Sequence, residues 1–182
     1  MLVGVSSGTV GSFSPKLFIE RADSTASIGI FRSAANNFGP FLLLGKSRAS
    51  SLGGSTIVQD DDRLGQIAFF GADGTDRNPQ AAEIKAEVDG TPGADDMPGR
   101  LVFGTTADGA DSPTTRLTID SAGLSTFTGN ITITNSAPSI FLTDTDNNPD
   151  YILKSESGQF IVQENGGTTK FAVNTDGHVD VT

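Results

Sequence analysis

The chain of 182 residues has no cysteine, no tryptophan, one histidine and one tyrosine. Without cysteine there is no disulfide, no thiolate metal site, no iron–sulfur ligation and no thiol nucleophile. A single histidine, His178, cannot form a two-histidine zinc site within one chain. Basic residues are scarce as well, with 12 Lys+Arg against 22 Asp+Glu and a net charge of -10. Binding a phosphate backbone needs a basic face, so nucleic acid is not an expected partner. No run approaches the roughly 18 apolar residues of a membrane-spanning helix, and no membrane insertion is expected. The first residues, Met1 to Gly8, lack a basic stretch and a long apolar stretch, and do not read as a signal peptide.

Glutamate is also rare. Of the 22 acids, 17 are Asp and 5 are Glu, beside 22 Gly. Asp, Gly, Ser, Thr and Asn favour turns, whereas Glu, Lys, Ala and Leu favour helices. Phenylalanine, at 12, is plentiful and suits strands. The composition is that of many short strands joined by tight turns.

Period-two patterns run along the whole chain. Strand candidates are Lys16–Glu20, Ser27–Phe31, Phe41–Leu44, Gly65–Gly71, Arg100–Gly104, Arg116–Asp120, Asn130–Thr134, Tyr151–Leu153, Gln159–Val162 and Lys170–Val173. Ala81–Val88 could make two helical turns, but an isolated helix that short is marginal. Ala82, Ile84, Ala86 and Val88 alternate, so this stretch is read as a strand too. Glycine-bearing turns are expected at Asp73-Gly74, Asp89-Gly90, Asp108-Gly109, Ser157-Gly158, Asn165-Gly166-Gly167 and Asp176-Gly177.

The chain also matches itself. Ser14–Ile19 pairs with Ala137–Leu142, and Arg116–Gly123 with Lys170–Gly177. On this reading the first copy carries extra residues centred on 52–112. The expected organisation is an N-terminal arm or connector (1–14), a main β domain (15–136) with the inserted segment 52–112, and a smaller β repeat unit (137–182). The last residues repeat the middle of the pattern, so the chain reads as one segment of a longer, serially built protein. Short units of this kind rarely bury their apolar faces alone; they stack or associate. Runs such as Phe41–Leu44 and Ala68–Phe70 are apolar on both sides and imply cover on both.

The middle of the chain carries a recognisable succession: Thr56–Ile67 into Phe70–Thr75, then Ala81–Ile84, Val88–Gly93, Asp96–Phe103, Thr105–Gly109, Ser112-Pro113 and Arg116–Gly123. Over residues 15–125 this resembles a segment of tail-fibre and tailspike-like proteins of bacteriophages, especially cyanophages and other marine phages. There it often lies upstream of an endosialidase-type intramolecular chaperone, a domain not read within these residues. The resemblance implies an all-β, intertwined homotrimer, prism- or sandwich-like, in a virion. It implies no catalytic residues and no cofactor. Its expected partners are further copies of itself, other virion proteins and a host-surface glycan. A capsid decoration protein that binds the major capsid protein is the alternative, and a glycan-cleaving tailspike domain a more distant one.

The candidate sites are few. Asp144, Asp146, Asn148 and Asp150 place oxygens at alternate positions, as a calcium loop does. Pro149 sits where that loop needs glycine, so a plain turn is the favoured reading. Asp60-Asp61-Asp62 is read as a solvated turn whose carboxylates point in different directions, with Arg63 offsetting charge. Asp96 and Arg100, with Arg116, are the candidates for structural contacts between subunits, because Arg and a carboxylate pair directionally. Gly71–Asp76 lacks the lysine of a phosphate loop and reads as a hairpin turn. No G-x-S-x-G elbow occurs, so a serine hydrolase triad is not expected.

Overall fold

The computed structural model describes residues 10–15, 17–20, 22, 26–143, 145, 150–164 and 167–181. Among them are ten strands and no helix, in line with the all-β expectation. The chain divides into two compact units, Met1–Gly129 and Asn130–Thr182. In the first, β1 (Arg63–Phe70), β2 (Gln80–Val88), β3 (Gly99–Thr105), β4 (Thr114–Ile119) and β5 (Ser125–Phe127) form an antiparallel meander in chain order. In the second, β6 (Ser139–Leu142), β7 (Tyr151–Glu156), β8 (Gln159–Glu164), β9 (Thr169–Val173) and β10 (Val179–Val181) do the same.

The alternation in Ala81–Val88 is that of a strand, and it lies in β2. The Ser157-Gly158 signal is a two-residue hairpin turn between the paired Glu156 and Gln159. Both central residues have positive φ, 51° and 80°, as a type I′ turn requires.

Four of the expected strands are absent. Residues 17–20, 26–57 and 130–138 contain no strand. Their alternation favours extended backbone, but a strand also needs a neighbour to pair with, and among the described residues none forms a ladder with them. The segment 52–112, expected as an insertion, instead carries β1, β2 and β3, three of the five strands of the first sheet.

The ladder registers define a fuller repeat than the sequence matches. In the first sheet Leu101, Val102 and Phe103 pair with Ile119, Thr118 and Leu117, and the ladder then slips past Arg116 to Gly104↔Thr115. In the second, Phe160, Ile161 and Val162 pair with Val173, Ala172 and Phe171, and the ladder slips past Lys170 to Gln163↔Thr169. The two bulges therefore fall at the same place. Extended outward, the register sets Lys85-Ala86-Glu87 of β2 against Lys154-Ser155-Glu156 of β7, and Gln66–Phe69 of β1 against Ser139–Leu142 of β6. The matched turns agree as well. Gly123 N donates to Asp120 O at 2.9 Å, and Gly177 N to Asn174 O at 3.0 Å. The counterpart of β6 is thus β1, and residues 17–19, matched to it by sequence, stand outside the sheet.

Burial is sparse. Among the described residues the buried hydrophobic side chains are Val58, Val88, Val102, Ile152, Ile161 and Ala172, and only Val88 is wholly enclosed. Among the described residues no second sheet or helix covers either sheet.

The β7–β8 turn is a tight local constraint. A Cβ on Gly158 would lie 2.7 Å from Thr175 Cγ2, and its φ is left-handed. Gly158→Ala is expected to cost about 1–2 kcal/mol, read as a lower urea midpoint with an unchanged m-value.

Candidate interaction surface

Directly paired residues of an antiparallel sheet share a face, and alternate residues along a strand do too. The pairings Ile67↔Ile84, Ile84↔Phe103, Phe103↔Leu117 and Leu117↔Phe127 therefore lay one apolar row across all five strands of the first sheet. The adjacent row is Gly65, Ala86, Leu101, Ile119 and Ser125, again without a charge. This face is open to solvent in the lone chain: Ile67, Ile84, Leu101 and Phe127 are all exposed.

The second sheet repeats it at the equivalent positions, through Ile140, Leu153, Val162, Phe171 and Val181. Phe160 and Val173 lie in the next row, where Leu101 and Ile119 lie in the first sheet. An open cavity of about 260 Å³ lies on this face, lined by Ile131, Ile133, Ile140, Leu153 and Phe160 among others.

The opposite face of the first sheet carries its charges. Gln66 Nε2 donates to Glu83 Oε2 at 2.7 Å. Lys85 Nζ stands 3.3 Å from Glu83 and 3.0 Å from Glu87. Arg63 donates to Gln66, and Arg100 Nε to Glu87 Oε2 at 3.1 Å. These long side chains lie along the sheet and cover its β-carbons, so Val102 is buried on the polar side. Glu83-x-Lys85-x-Glu87 was readable in the sequence once that stretch is a strand, since alternate residues must share a face.

At the edge of this face the acidic turn ahead of β1 is built into the fold. Asp61 adopts a φ of 65°, a conformation that aspartate tolerates better than most residues. Its N–H donates to Val88 O at 3.1 Å, and Val88 N returns the bond to Asp62 O at 2.9 Å. The three carboxylates do diverge. Asp60 Oδ1 accepts Gly90 N at 2.8 Å. Asp61 Oδ1 accepts Arg100 Nη2 at 2.5 Å. Asp62 takes both Arg48 Nε and Nη2, at 2.6 and 2.9 Å. Arg63, expected to offset their charge, turns to Gln66; Arg48 and Arg100 offset it instead. Arg48 stands 14 residues upstream of Asp62, and no local spacing signals the pair.

The Arg48 hydrogen bonds, aided by the Gln59 N–H, hold the Asp62 carboxyl down from 3.8 to about 2. Arg100 is raised above the usual guanidinium range, first by Asp61 and then by Glu87 and Asp89. Burial pushes Glu87 up, but Lys85 and Arg100 outweigh it and leave it lowered. Asp89 is lowered, chiefly by the Ser121 N–H, which donates to Asp89 Oδ2 at 2.8 Å.

The structure does not bring Asp96 and Arg100 together. Asp96 closes a tight turn with Gly93, and Arg100 is engaged by Asp61, Glu87 and Asp89 of its own chain. Arg116 occupies the β-bulge of β4 and donates through Nε to Thr105 Oγ1 at 2.9 Å. His178 Nε2 is 3.3 Å from Asp180 Oδ1, with its ring 69% exposed. Asp144, Asp146 and Asn148 lie outside the described residues, and Asp150 immediately precedes β7. Among the described residues no group of three or more His, Cys, Asp and Glu is placed to hold a metal ion. Compared with known proteins, the chain matches no family model and no curated protein.

Because the fold lowers the Asp62 pKa, the stability it adds is complete above 3.8 and is lost as pH falls toward about 2. The thermal midpoint is expected to fall between about pH 4 and 2. Asp62→Asn should flatten that fall by differential scanning fluorimetry while lowering the midpoint at pH 7. Arg100→Ala leaves Glu87 with Lys85 and Asp89 with the Ser121 N–H, and is expected to lower the midpoint of chemical denaturation only slightly, with an unchanged m-value.

Proposed function

We propose that the chain is a non-enzymatic structural segment of a bacteriophage virion, working as a homotrimeric fibre or fibre-like appendage that contributes to host attachment. The observation that carries this reading is the apolar surface the single chain leaves open. On the first sheet Ile67 is 44%, Leu101 44% and Phe127 48% exposed, where a self-contained sheet would bury its apolar face. Phe31, 91% exposed, and Leu43, 82% exposed, lie in the unpaired extended segment 26–57. Closed cyclic symmetry would give such segments neighbours and protect sheet edges.

The phage assignment is supported by the resemblance over residues 15–125. On this reading the work is mechanical: apolar faces join subunits, and acidic turns keep the outside soluble. Three chains carry three times the single chain's -10, a charge that opposes aggregation of finished trimers.

Light scattering on a sizing column is expected to give three times the chain mass of 18.8 kDa. A folded monomer would overturn the reading. Gold-labelled antibody against the chain should mark fibres on virions by electron microscopy; label confined to the capsid shell would replace the fibre with the decoration protein.

A further inference from the structure

We infer that the apolar row of each sheet is the self-association face: it packs against further copies of this chain, and the charged face opposite looks to solvent. The inference rests on the homotrimer reading and adds to it which side of each sheet is inside.

Charge is segregated by face. In the first sheet Arg63, Glu83, Lys85, Glu87 and Arg100 lie together on one side, and the rows through Ile84 and Leu101 carry none. Buried interface cores are depleted of charge, because an unpaired ion is costly to desolvate. The charged side also satisfies itself: Glu87 has Lys85 and Arg100, and Glu83 has Gln66 and Lys85. It gains little from a partner, whereas the rows through Ile84 and Leu101 carry no charge and have much area to remove from water.

The second sheet keeps the apolar row at the same register, while its opposite face mixes Lys154 and Glu156 with the buried Ile152, Ile161 and Ala172. Ile140, Leu153, Val162, Phe171 and Val181 stand where Ile67, Ile84, Phe103, Leu117 and Phe127 stand. Lys154 and Glu156 pair at 2.7 Å on the other side, as Lys85 and Glu87 do. Two sheets of different sequence thus carry one apolar row at one register. The occupant that matches an uncharged row is another such row, and a symmetric oligomer supplies it from the same chain.

The chain itself begins the cover. A Cβ on Gly65, in the row beside Ile67, would lie 2.6 Å from Leu44 Cβ, so Leu44 sits directly on that corner of the face. Phe41, Leu42 and Leu43 continue from it, exposed and apolar, and would meet the neighbouring copy there.

The cysteine-free chain makes this testable with one thiol at a time. Ile84→Cys places a thiol within the row, and Thr126→Cys places one on the opposite face of β5. Each full-length variant is first weighed by light scattering, then labelled with a maleimide. In an assembly of three chains, the Ile84→Cys thiol is expected to react at least about tenfold more slowly than the Thr126→Cys thiol. Mild oxidation should also link Ile84→Cys chains in pairs. Equal rates in an assembly of three chains would overturn the face assignment and leave the trimer standing. A single-chain mass for both variants and for the parent chain would overturn the trimer and the inference with it. Leu101→Cys, in the adjacent row, repeats the test if Ile84→Cys does not fold.

Discussion

A sheet with ions on one side and side chains such as Ile84, Phe103 and Phe127 on the other must cover the second side. A single layer cannot, because a hydrophobic face is stable only against another layer. The rest of the structure follows from that constraint. The meanders are short, the enclosed side chains are few and mostly small, and the apolar rows run uninterrupted from one sheet edge to the other. On the proposed homotrimer, folding of the sheets and meeting of the chains would be hard to separate, because association would remove from water the apolar area that one chain leaves open.

The polar side is organised by a different rule. One turn, Asp60–Asp62, is tied to four places distant in sequence: Arg48, Val88, Gly90 and Arg100. Through Asp89 the same cluster reaches Ser121 in the β4–β5 turn. The ions fix the geometry of one corner of the sheet more than they add net stability, since exposed pairs are individually weak. Such a corner holds β1, β2 and β3 in register where the first ladder slips between Arg63 and Gly65.

The strand class and most turns were legible because they depend on local chemistry. Alternation at Ala82, Ile84, Ala86 and Val88 outweighs a two-turn helix, and Ser157-Gly158 asks for a type I′ turn by composition alone. What was not legible depends on pairing. Phe41–Leu44 has the composition of a strand and no ladder partner among the described residues. The insertion at 52–112 was misread because the match of Ser14–Ile19 to Ala137–Leu142 rests on a shared Pro-led apolar stretch. Ladder register, not similarity of six residues, decides which strands correspond. The Arg48–Asp62 pair was invisible for the same reason: the turn that joins it spans fourteen positions.

The two sheets differ most at one hairpin end. Glu156 and Gln159 enclose only Ser157-Gly158, whereas the equivalent Glu87 and Arg100 enclose residues 88–99. The registers on either side are the same. The module therefore has a variable tip on a fixed frame: its length can grow at that point while the strands below keep their partners. A peptide spliced between Ser157 and Gly158 would occupy the place where the first sheet already carries a longer excursion. That makes this tip the natural position for displaying foreign sequence on the folded chain.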